Sequence, residues 1–292
     1  MSLRVFTNTI SLNAQRAMSV SSAKLESNLE RVASGIRLQR SSDNNGAFQQ
    51  TETLRGDVST LRQGAKNLND GISMIRTAEG ALNEQINILM RLRELASQSI
   101  NGTLGNTERA TQNLEFSALR AEFDRIAENT EFNHQKLLDG SLASSASKPV
   151  TIQIGLDSGD DSRFNLNQDM NLTAMTSSAL NFSTSSISTD NAAVTALDNV
   201  NSALEKTSNI RSRVGIIMER MDFAKSNLNN SIEKIGSTIA SIRDTDFAEE
   251  LASLTTHQVL VQGASAMVGQ ANLIPQSVRS EERRVGKECR SR

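Results

Sequence analysis

Between Leu54 and Ala96 the apolar residues recur in alternating steps of four and three: Leu54, Val58, Leu61, Ala65, Leu68, Ile72 and Ile75. After Glu79 the row resumes with Leu82, Ile86, Leu89, Leu92 and Ala96. This is a heptad stripe. It predicts a helix whose 43 residues span about 65 Å at 1.5 Å per residue. A lone rod leaves such a stripe in water and forgoes roughly 25 cal/mol per Å² of apolar burial, so it requires partner helices. Three interior glycines, Gly64, Gly71 and Gly80, each disfavour the helix by about 1 kcal/mol relative to Ala. Packing, not propensity, must hold this segment.

The flanking pattern is weaker at the start and repeats in mirror order at the end. Residues 1–43 carry a sparse stripe of Ala14, Met18, Leu25, Leu29, Val32 and Ile36, and sixteen of the 43 are Ser, Thr, Asn or Gln. Such a helix is marginal alone and is expected to order against a partner. Arg40 to Gly46 reads as a break with an available N-cap. A turn at Asn101–Asn106 precedes a third helix, capped by Asn106 or Thr107 and faced with Phe116, Leu119, Phe123 and Ile126. So short a connection predicts that it folds back antiparallel on the long helix. Val150, Ile152 and Ile154 alternate with Thr151 and Gln153, a strand signal, with Phe164 and Leu166 as the returning strand. Thr176–Thr189 is Ser/Thr-rich and reads as irregular.

Helical periodicity returns at Asp190 with Leu197, Val200, Leu204, Ile210, Val214, Ile217 and Met221, and continues through Ile242. A last helix, Asp246–Asn272, carries Phe247, Leu251, Leu254 and Val261. The expected fold is mainly α: a long antiparallel helical bundle or coiled coil with paired terminal helices and a small central β-hairpin insert. The segmentation is 1–43, 44–140, an insert at 141–189, 190–242, 243–278, and a tail at 279–292.

Composition agrees with long helices. Two prolines and nine aromatic residues, all Phe, occur in 292 residues, too little aromatic bulk for the core expected of a compact enzyme. A net charge of −2 gives no basic footprint for nucleic acid. No apolar run approaches a membrane span, and the first twenty residues lack the apolar core of a Sec signal. Cys289, the only cysteine, excludes an internal disulfide. His134 and His257 are the only histidines, so no metal cluster or catalytic triad is legible, and no cofactor is expected.

Particular stretches resemble bacterial flagellin: Arg31–Arg37 (RVASGIR), Lys66–Ser73 (KNLNDGIS), Arg91–Gln98 (RLRELASQ), Asn101–Thr103, Thr130–Asn133 with Leu137–Gly140, Gln153–Gly155, and Gly269–Asn272 with Pro275–Gln276. They fall in family order from the first residues to about Val278. One departure lies at Asp43-Asn44-Asn45-Gly46-Ala47, where the family usually has two Asp followed by Ala-Ala-Gly. The hinge is less charged here and its glycine is displaced by one position.

The resemblance implies a subunit that self-assembles into the flagellar filament, a homopolymer outside the cell. Terminal helices would line the filament channel, with Leu25, Leu29, Val32, Ile36, Phe247, Leu251, Leu254 and Val261 as assembly contacts. It implies type III export with a chaperone on the C-terminal helix, contacts with hook-associated and cap proteins, and no nucleic-acid or membrane partner. It also implies recognition by the vertebrate Toll-like receptor for flagellin through Arg91, Leu95 and Glu115. A hook–filament junction protein, or a coiled-coil binding module outside the flagellum, is the alternative. Arg279–Arg292 holds six basic and three acidic residues, where the family ends on a short apolar run. The expectation is an appended, non-native tail that packs nowhere.

Overall fold

The computed structural model describes residues 8–146 and 148–288, with side chains as far as Leu273 in the last helix. Its elements are α1 (Thr9–Ser34), α2 (Asn45–Ser99), α3 (Asn106–Asn129), β1 (Glu131–Phe132), β2 (Gln135–Lys136), β3 (Thr151–Gln153), β4 (Arg163–Asn165), α4 (Leu166–Met170), α5 (Asp190–Arg243) and α6 (Phe247–Glu288). The chain divides into two compact units, Met1–Arg55 with Ser237–Arg292, and Gly56–Gly236.

The unit Gly56–Gly236 holds the core. Leu68, Ile72, Ile75, Leu82, Leu89 and Leu92 of α2 pack into one cluster with Phe116 and Phe123 of α3 and with Val200, Val214, Ile217 and Met221 of α5. Helix α3 folds back antiparallel on α2, as Gln85 Nε2 donates to the Phe123 carbonyl at 3.3 Å while Arg109 Nε donates to the Ser99 carbonyl at 2.8 Å. The fully buried seam of α5 differs from the expected one. Ala193, Ala196 and Ala203 are sealed, whereas Leu197 and Leu204 are only partly buried at its margin. Small side chains on the seam let the helix backbones approach, and the larger leucines close its edge.

The β3–β4 hairpin pairs Ile152 with Phe164 as expected, antiparallel, but Leu166 opens α4 rather than extending the strand. This hairpin explains two of the five glycines in α2, Gly64 and Gly71. A Cβ on Gly64 would lie 2.5 Å from the Ile154 carbonyl oxygen, and one on Gly71 would overlap Ile152 Cδ1. Between them Asn67 Nδ2 donates to the Gln153 carbonyl at 3.1 Å. The hairpin therefore rests on a bare strip of helix. Gly80 has nothing within 4 Å, so its backbone freedom has no packing use.

A second hairpin, β1–β2, pairs Phe132 with Gln135 and turns through Asn133 and His134, both at positive φ. The Ser/Thr-rich stretch after α4 has little regular structure, yet it is not loose. Leu172, Met175 and Phe182 are fully buried, as is Ile187. Phe182 meets Phe123 edge to face at 5.2 Å, a pair worth about 0.5–1.5 kcal/mol beyond its area. Asp124 accepts from Ser177 N at 2.6 Å and Ser177 Oγ at 2.7 Å, and Asn113 Oδ1 from Ile187 N at 2.9 Å. The stretch is a strap tied along α3.

In the other unit, α1 begins at the N-cap Asn8, whose side chain accepts from Ser11 N at 3.1 Å, and ends on Gly35 in the left-handed region. Ile36 is thus outside the helix, contrary to its expected place on the stripe. It forms an antiparallel bridge with Asp244, because Arg37 N donates to the Arg243 carbonyl at 2.7 Å and Thr245 N to the Gly35 carbonyl at 3.1 Å. The break expected at Arg40–Gly46 is shorter, ending at Asn44, since Asn45 and Gly46 already open α2; Asn44 Oδ1 accepts from Ala47 N at 3.1 Å to cap that helix. At α3, however, Gly105 takes the cap position rather than Asn106 or Thr107.

Helices α1 and α6 pair antiparallel. Asn8 Nδ2 donates to the Ala271 carbonyl at 2.8 Å near one end, and Arg31 approaches Glu250 at 4.0 Å near the other. The Asn28 amide, oriented so that its NH2 donates to Glu250 Oε1 at 3.0 Å, accepts from Ser253 Oγ at 2.9 Å. Helix α6 continues to Glu288, past the expected end at Asn272. How the tail from Arg279 packs lies outside the described residues.

Replacing Gly64 with Ala forces Cβ against the Ile154 backbone and is expected to destabilise the monomer by about 1–3 kcal/mol, despite a better helix propensity. Gly80→Ala meets open space and is expected to stabilise by about 0.5–1 kcal/mol. Urea denaturation of both variants measures the difference; equal effects would show that the hairpin does not sit on Gly64.

Candidate functional site

Two surfaces carry the side chains singled out from the sequence. The first lies on α2 and α3, whose antiparallel contact brings Arg91 opposite Glu115. Arg91 Nε and Nη2 both donate to Glu115 Oε1, at 3.0 and 2.8 Å, while Nη1 donates to Glu94 Oε2 at 3.1 Å. The bond to Glu115, then that to Glu94, raises the Arg91 pKa above its ordinary value. Arg91 and Glu115 are each about half exposed, at 50% and 47% of their side-chain area. An exposed pair of this kind fixes side-chain direction more than it stabilises the fold.

Leu95 does not join this surface. It is 2% exposed and belongs to the core cluster, one turn after Arg91 on the side of α2 that faces inward. The expectation of Leu95 as a direct surface contact is therefore corrected: in this structure its side chain is sealed among its neighbours. Leu114 is 70% exposed beside Glu115, and Met90 is 40% exposed beside Arg91. These two apolar neighbours were not singled out from the sequence. Their off-stripe positions on their helices were the available signal.

The second surface lies on the α1–α6 pair. Leu25, Val32, Leu254 and Val261 are partly buried, while Leu29, Phe247 and Leu251 remain 51%, 52% and 49% exposed. Val20, Val259, Leu260 and Met267 are exposed as well. The buried residues of α1 itself are Ser11 and Asn28, so the seam between the two helices is polar where it is tightest. Much of the apolar surface of the pair faces outward.

Neither surface has the makings of a catalytic centre. His134 sits exposed in the β1–β2 turn, and His257 lies partly buried on α6, in the other unit. Among the described residues no group of three or more His, Cys, Asp or Glu is placed to hold a metal ion, and no helix is long and apolar enough to cross a membrane.

Comparison with known proteins places the chain as a whole. The model of the bacterial flagellin N-terminal helical region matches residues 5–143, and that of the bacterial flagellin C-terminal helical region matches residues 197–280. A flagellin of Halalkalibacterium halodurans is 35% identical over 93% of this chain and 96% of its own length. The flagellin of Bacillus subtilis is 33% identical over 94% and 98%. Among solved structures, Bacillus cereus flagellin is 30% identical, covering 56% of this chain and 88% of its own, with a TM-score of 0.47. A putative flagellar hook-associated protein of Vibrio parahaemolyticus shares the fold at 15% identity and a TM-score of 0.53, covering 69% of this chain and all of its own. Two family models that together span most of the chain, and relatives matched along nearly their whole length, agree: the chain belongs to the bacterial flagellin family, whose members are structural subunits of the flagellar filament.

Proposed function

We propose that this flagellin polymerises through its terminal helix pair into an extracellular filament that converts motor torque into thrust. The observation that carries this reading is the distribution of the core. In the unit Met1–Arg55 with Ser237–Arg292, the buried apolar side chains among the described residues are Leu38 and Ala271. Leu29, Phe247, Val259 and Met267 on α1 and α6 stay more than half exposed. An apolar surface of this extent on a soluble chain marks a place for partners, and like subunits in a helical array supply them by repeating one heterologous contact. In this reading residues 1–43 and 243–278 form the inner tube, and residues 44–242 the outer tube with its small insert. Export by the type III pathway, with a chaperone on α6, belongs to the same reading and rests on the family resemblance. Hook-associated and cap proteins would meet the two ends of the polymer.

A second role, as ligand of the vertebrate Toll-like flagellin receptor, rests on the accessible Arg91–Glu115 pair and its family resemblance. Leu95 then acts by holding α2 in the core, and the direct contacts fall to Arg91, Glu115 and exposed neighbours.

Purified monomer seeded with filament fragments tests the first role. Val259→Asp, at a 66% exposed position, is expected to abolish or strongly slow elongation while leaving monomer melting unchanged; normal elongation would overturn the reading. Limited proteolysis of dilute monomer is expected to remove both ends and spare the middle, with the ends protected in the filament. Terminal segments equally resistant in both states would argue against ordering by assembly.

Reporter cells carrying the receptor test the second role. Arg91→Ala and Glu115→Ala are expected to weaken activation with unchanged monomer melting. Leu95→Ala is expected to lower monomer stability by about 2–5 kcal/mol as a core truncation. A wild-type chain that fails to activate the receptor would remove this role.

A further inference from the structure

The chain contains two Asn-Gly dipeptides, Asn45-Gly46 and Asn101-Gly102, and the fold treats them differently. Asn45-Gly46 opens α2, where helical backbone geometry holds both residues. Asn101-Gly102 lies in the α2–α3 turn, with both residues exposed, and glycine leaves the backbone after the Asn unhindered.

Three donors converge on the Asn101-Gly102 amide. Arg109 Nη2 and Leu104 N both reach the Asn101 carbonyl oxygen at 3.1 Å. Thr103 N donates to Asn101 Oδ1 at 3.2 Å. Arg109 is 8% exposed and is fixed from its other side by Nε donating to the Ser99 carbonyl at 2.8 Å. The Gly102 N–H itself makes no hydrogen bond among the described residues.

We propose that Asn101 is a built-in deamidation site, at which the fold assists the turn in modifying itself. Loss of the Gly102 amide proton places negative charge on the Asn101 carbonyl oxygen, the atom that Arg109 and the Leu104 N–H stabilise. The Gly102 nitrogen then attacks Asn101 Cγ. The charge that develops on Oδ1 meets the Thr103 N–H. Donors aimed where charge develops accelerate such a step. The bond from Gly102 N to Cγ forms, the bond from Cγ to Nδ2 breaks, and the side-chain nitrogen leaves as ammonia. Water then opens the resulting five-membered imide at either carbonyl, giving aspartate or isoaspartate, each with one new negative charge near the Arg109 guanidinium. The site needs water alone as co-reactant, and asparagine is thermolabile in this way wherever geometry permits.

The full-length protein, incubated at mildly alkaline pH and digested under mildly acidic conditions, reports deamidation at each Asn by peptide mass. Asn101 is expected to convert well ahead of Asn45. Arg109→Gln and Thr103→Pro, which each remove one of the assisting contacts, are expected to slow conversion at Asn101 by about tenfold in the folded protein, below the 10²–10³ seen for a donor in a water-excluded site. In concentrated urea the wild type and both variants are expected to convert at one common rate, which separates the effect of the fold from that of the dipeptide. Circular dichroism establishes that each variant is folded, and Thr103→Pro, at an exposed position, carries the test if Arg109→Gln is not. Conversion at Asn45 equal to or faster than at Asn101 would overturn the proposal. Unchanged rates in the folded variants would overturn it too.

Discussion

The heptad seam of α2 is the contact on which the rest depends, because a stripe of that length is stable in water only when other elements cover it. Helices α3 and α5 cover part of it and the strap from Leu172 to Ile187 completes the enclosure, with Phe182 inserted against Phe123. Even the short β3–β4 hairpin is set by α2, lying over Gly64 and Gly71 where the helix has no side chains. Two of the glycines that weaken α2 as an isolated helix, Gly64 and Gly71, are the ones that admit its cover. A segment poor in regular structure thus becomes part of the core, because the helix faces dictate where its apolar residues go.

The two compact units stand in contrast. One seals a large apolar cluster internally; the other joins α1 to α6 by a polar seam and leaves most of its large apolar groups outside. Asn28 fixes the register of that pair by directional bonds to Glu250 and Ser253, with Arg31 4.0 Å from Glu250 as a looser ion pair, which is specificity more than strength. A helix pair with a defined register and an uncovered apolar exterior presents a repeatable pattern to like neighbours. The family assignment and the uneven core lead to the same picture of a subunit completed by assembly.

Much of this was legible in the sequence, and the unread parts have physical causes. The stripe of α2, a break with an available cap before it, a strand at Ile152 with Phe164 in its return, and the antiparallel return of α3 each follow from periodicity or turn chemistry. The strap was read only as irregular: Leu172, Met175, Leu180, Phe182 and Ile187 are separated by three, five, two and five residues, which matches neither a helix nor a strand. The β1–β2 hairpin is too short to show alternation, and its turn places His134 at positive φ, where sequence gives little warning. Leu95 shows the limit of a family resemblance. Its identity matches the pattern, but burial is set by its position three residues after Leu92 and next to Ala96, both of which are sealed. The end of α1 was overrun by two residues because Ile36 continues the apolar spacing while Gly35 stops the helix.

The bridge between Ile36 and Asp244 gives the terminal pair a mechanical character. The link from α1 to α2 and the link from α5 to α6 are held to each other by two main-chain bonds, and Arg37 Nη2 adds a third to the Ile242 carbonyl at 2.8 Å. The two passages of the chain into and out of the terminal helices are thus joined side by side at one point. Drawing α1 and α6 apart at this end therefore requires breaking all three of these bonds.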